Sequence, residues 1–138
     1  DYPKEPVIEF LSITKTEVIA QTTPSDNNRA VDSFYITFGF TDGDGDLGID
    51  DNSQEANVLV VDRRTGNADE PFRIRKSDIP SGGITQGISG EITVKIPETF
   101  CAPNSAPRDT LIYEIQIFDR AGNYSNIIET PPIILICD

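Results

Sequence analysis

Residues 34–40 read "FYITFGF". Phe34, Ile36, Phe38 and Phe40 fall on one side of an extended chain, with Tyr35, Thr37 and Gly39 on the other, and a period of two residues marks a half-buried β-strand. On a helix the same four side chains would scatter around the axis. The alternation recurs in both directions. Toward the N-terminus, "PVIEFLSI" at 6–13 and "EVIAQT" at 17–22 read as one strand over 6–22, cut off from a strand over 32–41 by the polar break "TPSDNN". Toward the C-terminus, "NVLVVD" at 57–62, the turn "RRTGNADE" and "PFRIRK" at 71–76 read as a hairpin. The run 88–96 turns Ile88, Ile92, Val94 and Ile96 inward, with Gly90 expected at a bulge or close approach. The run 109–118 does the same with Leu111, Tyr113, Ile115 and Ile117. A last strand over 124–137 is interrupted by Pro131 and Pro132, as an edge strand tolerates.

No segment of a dozen residues carries a 3.6-residue apolar stripe. About seven short strands, separated by clusters of Gly, Pro, Asn and Asp, predict an all-β, two-sheet antiparallel β-sandwich. The chain has 138 residues, a length that supports one sizeable core. Residues 1–5 read as a tether and 6–138 as a single domain.

Composition narrows the function. Eleven Lys and Arg stand against 23 Asp and Glu, a net charge of −12, which repels nucleic-acid phosphates and anionic lipid headgroups. Histidine, methionine and tryptophan are absent, removing the usual general base near neutral pH and the commonest transition-metal ligand. No nucleophile-and-base pair can be assembled, "GxSxG" is missing, and "SGGITQGISG" at 81–90 lacks the lysine and helix of a phosphate loop. The expectation is a protein that is not an enzyme.

Two stretches carry a family resemblance. "DTLIYEI" at 109–115 is similar to the D-x-A-x-Y-x-C run of immunoglobulin domains, with Ile115 where the cysteine would stand, and makes Tyr113 either a tyrosine-corner residue or an ordinary inward aromatic. "DRAGNYSN" at 119–126 resembles the strand ending of bacterial immunoglobulin-like and fibronectin-type-III-like domains. The buried Trp and inter-sheet disulfide of true immunoglobulins are missing. Together with the "YPKEP" start, the "FTDGDGDLG" loop and a cysteine near the end, the pattern resembles uncharacterised exported lipoproteins of Bacteroidota. That resemblance implies an immunoglobulin-like fold and an exported domain, periplasmic or at the cell surface. The membrane would be met only through a lipid anchor removed or lying upstream.

In a sandwich of this strand order, connections alternate between two poles, so loops 42–56 and 119–123 share one. Asp42, Asp44 and Asp46 match the first ligands of a D-x-D-x-D calcium loop, where hard oxygens converge while glycines allow tight winding. The Gly48 carbonyl and Asp50 extend the set, and Asp119 and Asn123 face it from the other loop. An EF-hand does not fit: Leu47 takes the place of its glycine and Ser53 that of its bidentate glutamate. The alternative is an acidic turn without an ion, since Asp and Gly suit turns for backbone reasons, and Asp119 with Asn123 can equally make a self-bonded turn. The same alternation brings Cys101 and Cys137 together at the opposite pole, as a disulfide or as two buried thiols.

The functional expectation is a non-catalytic, calcium-binding extracytoplasmic domain with a structural or adhesive role, meeting a protein or glycan at the pole of loops 42–56 and 119–123. The alternatives are a calcium-dependent carbohydrate-binding module and a metal-assisted hydrolase.

Overall fold

The computed structural model describes residues 3–22, 29–43, 46–49, 52–68, 72–75 and 88–138. Ten strands succeed one another with no helix among the described residues: β1 (Val7–Ile13), β2 (Glu17–Ile19), β3 (Phe34–Asp42), β4 (Val58–Asp62), β5 (Asn67–Ala68), β6 (Ile88–Ile96), β7 (Arg108–Leu111), β8 (Tyr113–Ile117), β9 (Ile128–Glu129) and β10 (Ile133–Ile136). They form three sheets, ordered β1-β3-β6, β2-β10-β7 and β5-β4-β8-β9. The architecture is all-β and consistent with a β-sandwich.

The Phe34–Phe40 run is the middle strand of the first sheet, and its four alternating apolar side chains are buried in the core with Ile115, Ile117, Leu111 and Leu135. Its register with β6 is unbroken from Phe34↔Ile96 to Asp42↔Ile88 and passes through Phe40↔Gly90. Of the two readings of Gly90, a bulge or a close approach, the bulge is therefore absent. The irregularity lies in β1, between Phe10 and Ser12. An extra residue bends a strand, and β1 is the one whose continuation leaves the sheet: β2 pairs in parallel with β10.

The single strand expected over 6–22 is thus two strands in two sheets, and 109–118 and 124–137 divide likewise. Thr130 explains the last division. Its hydroxyl accepts the Tyr113 N–H at 3.1 Å and its own N–H donates to the Tyr113 carbonyl at 3.0 Å. Pro131 and Pro132 then have no N–H to continue the ladder, and the chain resumes as β10 beside β7, Ile133 opposite Leu111. The hairpin after β4 also closes earlier than its sequence suggests. The Asp62 carbonyl accepts from the N–H of Thr65 and Gly66, Asp62 Oδ1 accepts from Arg64 N–H, and Gly66 sits at φ 77°. Only glycine adopts that angle without strain. The turn therefore delivers β5 at once, and Phe72 makes an isolated antiparallel bridge to Val58 instead of opening a strand.

Cys101 and Cys137 are joined in a disulfide, which fits an oxidising, extracytoplasmic setting. Arg64 lies near by, donating through Nη2 to Asp62 Oδ2 at 2.8 Å and through Nη1 to Asp109 Oδ2 at 2.6 Å. Burial alone would raise the Asp109 pKa; the N–H groups of Ala102 and Thr110 and the Arg64 guanidinium outweigh it and hold the carboxyl below its ordinary value. A carboxylate depressed in the folded state contributes stability above its unfolded pKa and loses it as pH falls through the folded one. Acid titration of stability should therefore show a loss beginning near the ordinary value of 3.8 and continuing below it. Asp109→Asn should be less stable at pH 7 and lose less on acidification. Equal acid sensitivity in the two proteins would remove Asp109 as a source of it.

Candidate metal centre

Asp42 closes β3 and is fully buried, opposite Ile88. Asp119 follows β8 and is buried at 4% exposure. Asp46 lies between them on the loop after β3. One carboxylate oxygen from each of Asp42, Asp46 and Asp119 comes within 4.8 Å of the others. Two oxygens on the same calcium ion can be no farther apart than twice its 2.3–2.6 Å bond length, about 4.6–5.2 Å. The cluster therefore fits a single coordination sphere.

The loop after β3 is positioned by contacts that reach across the molecule. Leu47 is fully buried, so the residue that breaks an EF-hand pattern anchors the loop in the core. Ile49 N–H donates to the Ile74 carbonyl at 3.0 Å. On the other side Arg120 donates to the Asp46 carbonyl through both its backbone N–H and Nε, each at 3.0 Å, joining the two loops directly. Their shared pole, inferred from strand alternation, is a contact.

Asp119 and Asn123 form a self-bonded turn. Asp119 Oδ1 accepts the Asn123 backbone N–H at 2.8 Å and Oδ2 its Nδ2 at 3.1 Å. Gly122 takes φ 87° within that turn. These bonds do not exclude Asp119 from the cluster, since each carboxylate oxygen has two lone pairs. They fix its direction, and Asn123 is placed to orient Asp119. Gly48 is buried in the loop between Leu47 and Ile49. Asp44 and Asp50 lie outside the described residues.

Asn57 carries no sequence motif, yet it organises the centre. Buried at 2% exposure, it donates from Nδ2 to the carbonyls of Leu47 (3.1 Å) and Ile74 (2.9 Å), and its Oδ1 accepts the Ile74 N–H at 2.6 Å. Its backbone carbonyl accepts from Phe118 N–H, next to Asp119. Its one clue is a polar residue heading the apolar run "NVLVV".

Electrostatically the cluster is strained. Two unit charges at 4 Å repel by about 1 kcal/mol at the dielectric of water and about 4 kcal/mol at an effective value of 20. Asp46 Oδ1 is moreover closed to solvent and meets no hydrogen-bond donor among the described residues. A buried acceptor without a donor costs about 1–3 kcal/mol, and a bound cation would remove both penalties. Compared with protein-family models, with curated proteins and with solved structures, the chain finds no match in any of the three.

Proposed function

We propose that this chain is a non-catalytic, calcium-binding, immunoglobulin-like domain of an exported protein, with a structural or adhesive role at the cell surface. The observation that carries it is the meeting of Asp42, Asp46 and Asp119 from two loops about 70 residues apart in sequence. Hard carboxylate oxygens of this kind suit calcium. The ion would neutralise the cluster and lock the loop after β3 to the Asp119–Asn123 turn, leaving a rigid pole. The strand pairing supports the immunoglobulin-like reading. Only Ile112 separates β7 from β8, and Thr130–Pro132 separate β9 from β10, so two of the three sheets read as one layer facing β1-β3-β6. The disulfide supports export.

Thermal unfolding with calcium and with a chelator tests this. A ligand that binds only the native state adds about 2.7 kcal/mol at a hundredfold excess over its Kd, a rise of several degrees for a domain this size. Asp42→Asn should lose most of the calcium-dependent rise, because one of the three converging carboxylates has gone. No calcium-dependent rise and no calorimetric heat would defeat the proposal.

A glycan is the second reading, favoured by Tyr124. This ring is 57% exposed immediately after the Asp119–Asn123 turn and leans on Phe118, with centroids 5.4 Å apart. Calcium-dependent glycan-array binding lost in Tyr124→Ala would support it.

A further inference from the structure

A second feature lies at the other end of β4. That strand runs from Val58, opposite Ile117 and near the metal centre, to Asp62, opposite Tyr113, a distance of about 13 Å at strand rise. There a pocket of about 480 Å³ opens between the sheets, walled by Val60, Phe72, Ile96, Phe100, Ala102 and Tyr113. Small-molecule sites are typically apolar concavities of about 300–1,000 Å³ with a few placed polar groups.

One wall is fastened in place. The Thr99 carbonyl accepts Gln21 N–H at 2.8 Å, Cys101 N–H donates to the Gln21 carbonyl at 2.9 Å, Ala102 N–H donates to Asp109 Oδ2 at 2.9 Å, and the disulfide holds Cys101 to Cys137. A preformed wall spares a ligand the ordering entropy of binding.

Charge selects the occupant. Arg64 lines the pocket, but its Nε and Nη2 donate to Asp62 and its Nη1 to Asp109, so the guanidinium is committed to carboxylates. With Asp62 and Glu98 also in the lining and a net charge of −12, an anion is repelled. A cation would give up its hydration to apolar walls whose buried carboxylate, Asp62, is already paired with Arg64, leaving it only Glu98, which is exposed to solvent. Thr99, 2% exposed, also lines the pocket, and its hydroxyl has no hydrogen-bond partner among the described residues.

We infer that this pocket binds a neutral, largely apolar small molecule with one hydrogen-bonding group that meets Thr99. The probe is N-phenyl-1-naphthylamine, neutral and with a single N–H, titrated by fluorescence against the folded protein, with 8-anilinonaphthalene-1-sulfonate as the same ring system bearing an anion. The neutral dye should saturate at one equivalent and the sulfonate should bind at least tenfold more weakly. Thr99→Val should weaken the neutral dye about fivefold, the worth of one net hydrogen bond. Ala102→Trp, at an exposed position on the rim, should weaken it at least tenfold while leaving the circular-dichroism spectrum unchanged. Thr65→Trp, on the facing turn, serves if that variant does not fold. Ile127→Ser, which removes an exposed apolar side chain near the other pole, should change nothing, and a chelator should leave dye binding intact. Dye that never saturates, binds the sulfonate equally well, or ignores the tryptophan variants overturns the inference. An affinity untouched by Thr99→Val overturns the role of the hydroxyl.

Discussion

Replacing both half-cystines, as Cys101→Ala with Cys137→Ala, is expected to lower the unfolding free energy by about 4 kcal/mol and the melting temperature by about 14 °C. The two residues are 36 apart, and the chain-entropy model assigns a loop of that length this effect by restricting the unfolded ensemble. The native side points the same way. Cys137 directly follows β10, which rejoins the fold only after the Pro131–Pro132 break, and Cys101 follows Phe100, bridged to Gln21. The bond thus ties the last strand to the segment after β6. Both cysteines are buried, at 6% and 4% exposure. Dithiothreitol should therefore reduce the native protein far more slowly than the urea-unfolded one, since the sulfurs become accessible only on opening. Thermal melts of the double variant and a thiol-release time course check the two expectations. A shift below about 3 °C would show that the reduced unfolded chain stays compact enough for the cross-link to restrict little.

The strands were legible in the sequence because burial leaves a period-two record, as at Phe34–Phe40 and Leu111–Ile117. Where a strand changes sheet was not, because single side chains decide it. Thr130 replaces one ladder bond before two prolines, and Asn126 pairs with both backbone groups of Ile8 through its amide. Neither leaves a periodic trace. The early end of the β4 hairpin was hidden in the same way, since "RRTGNADE" holds several acceptable turns and the Asp62 hydrogen bonds choose among them. At the candidate centre, alternation of loops between poles was enough to bring Asp42 and Asp46 to Asp119. It said nothing of what holds them there. Asn57 is one polar residue heading an apolar strand, and only its burial between Leu47 and Ile74 reveals its function.

Asn57→Ala is accordingly expected to cost about 3 kcal/mol, roughly 10 °C in melting temperature. The substitution deletes three hydrogen bonds inside the core. Ile74 N–H and the Leu47 carbonyl lose the partner that Asn57 gave them, while the Ile74 carbonyl keeps the Ile49 N–H. Each buried group left unpaired costs about 1–3 kcal/mol. Asn57→Asp should be at least as damaging at pH 7, because it turns a donor facing two carbonyls into a buried negative charge. Asn52→Ala, at an exposed loop position, should stay within about 0.5 kcal/mol of the unaltered protein. Asn57 also bears on the ion. It grips Leu47, next to Asp46, and its carbonyl receives Phe118, next to Asp119. Loosening it moves two of the three carboxylate-bearing residues relative to each other. If Asn57 positions the site, calcium will stabilise Asn57→Ala less than it stabilises the unaltered protein. A calcium increment that survives in full beside a lowered melting temperature would confine Asn57 to the packing of the loop.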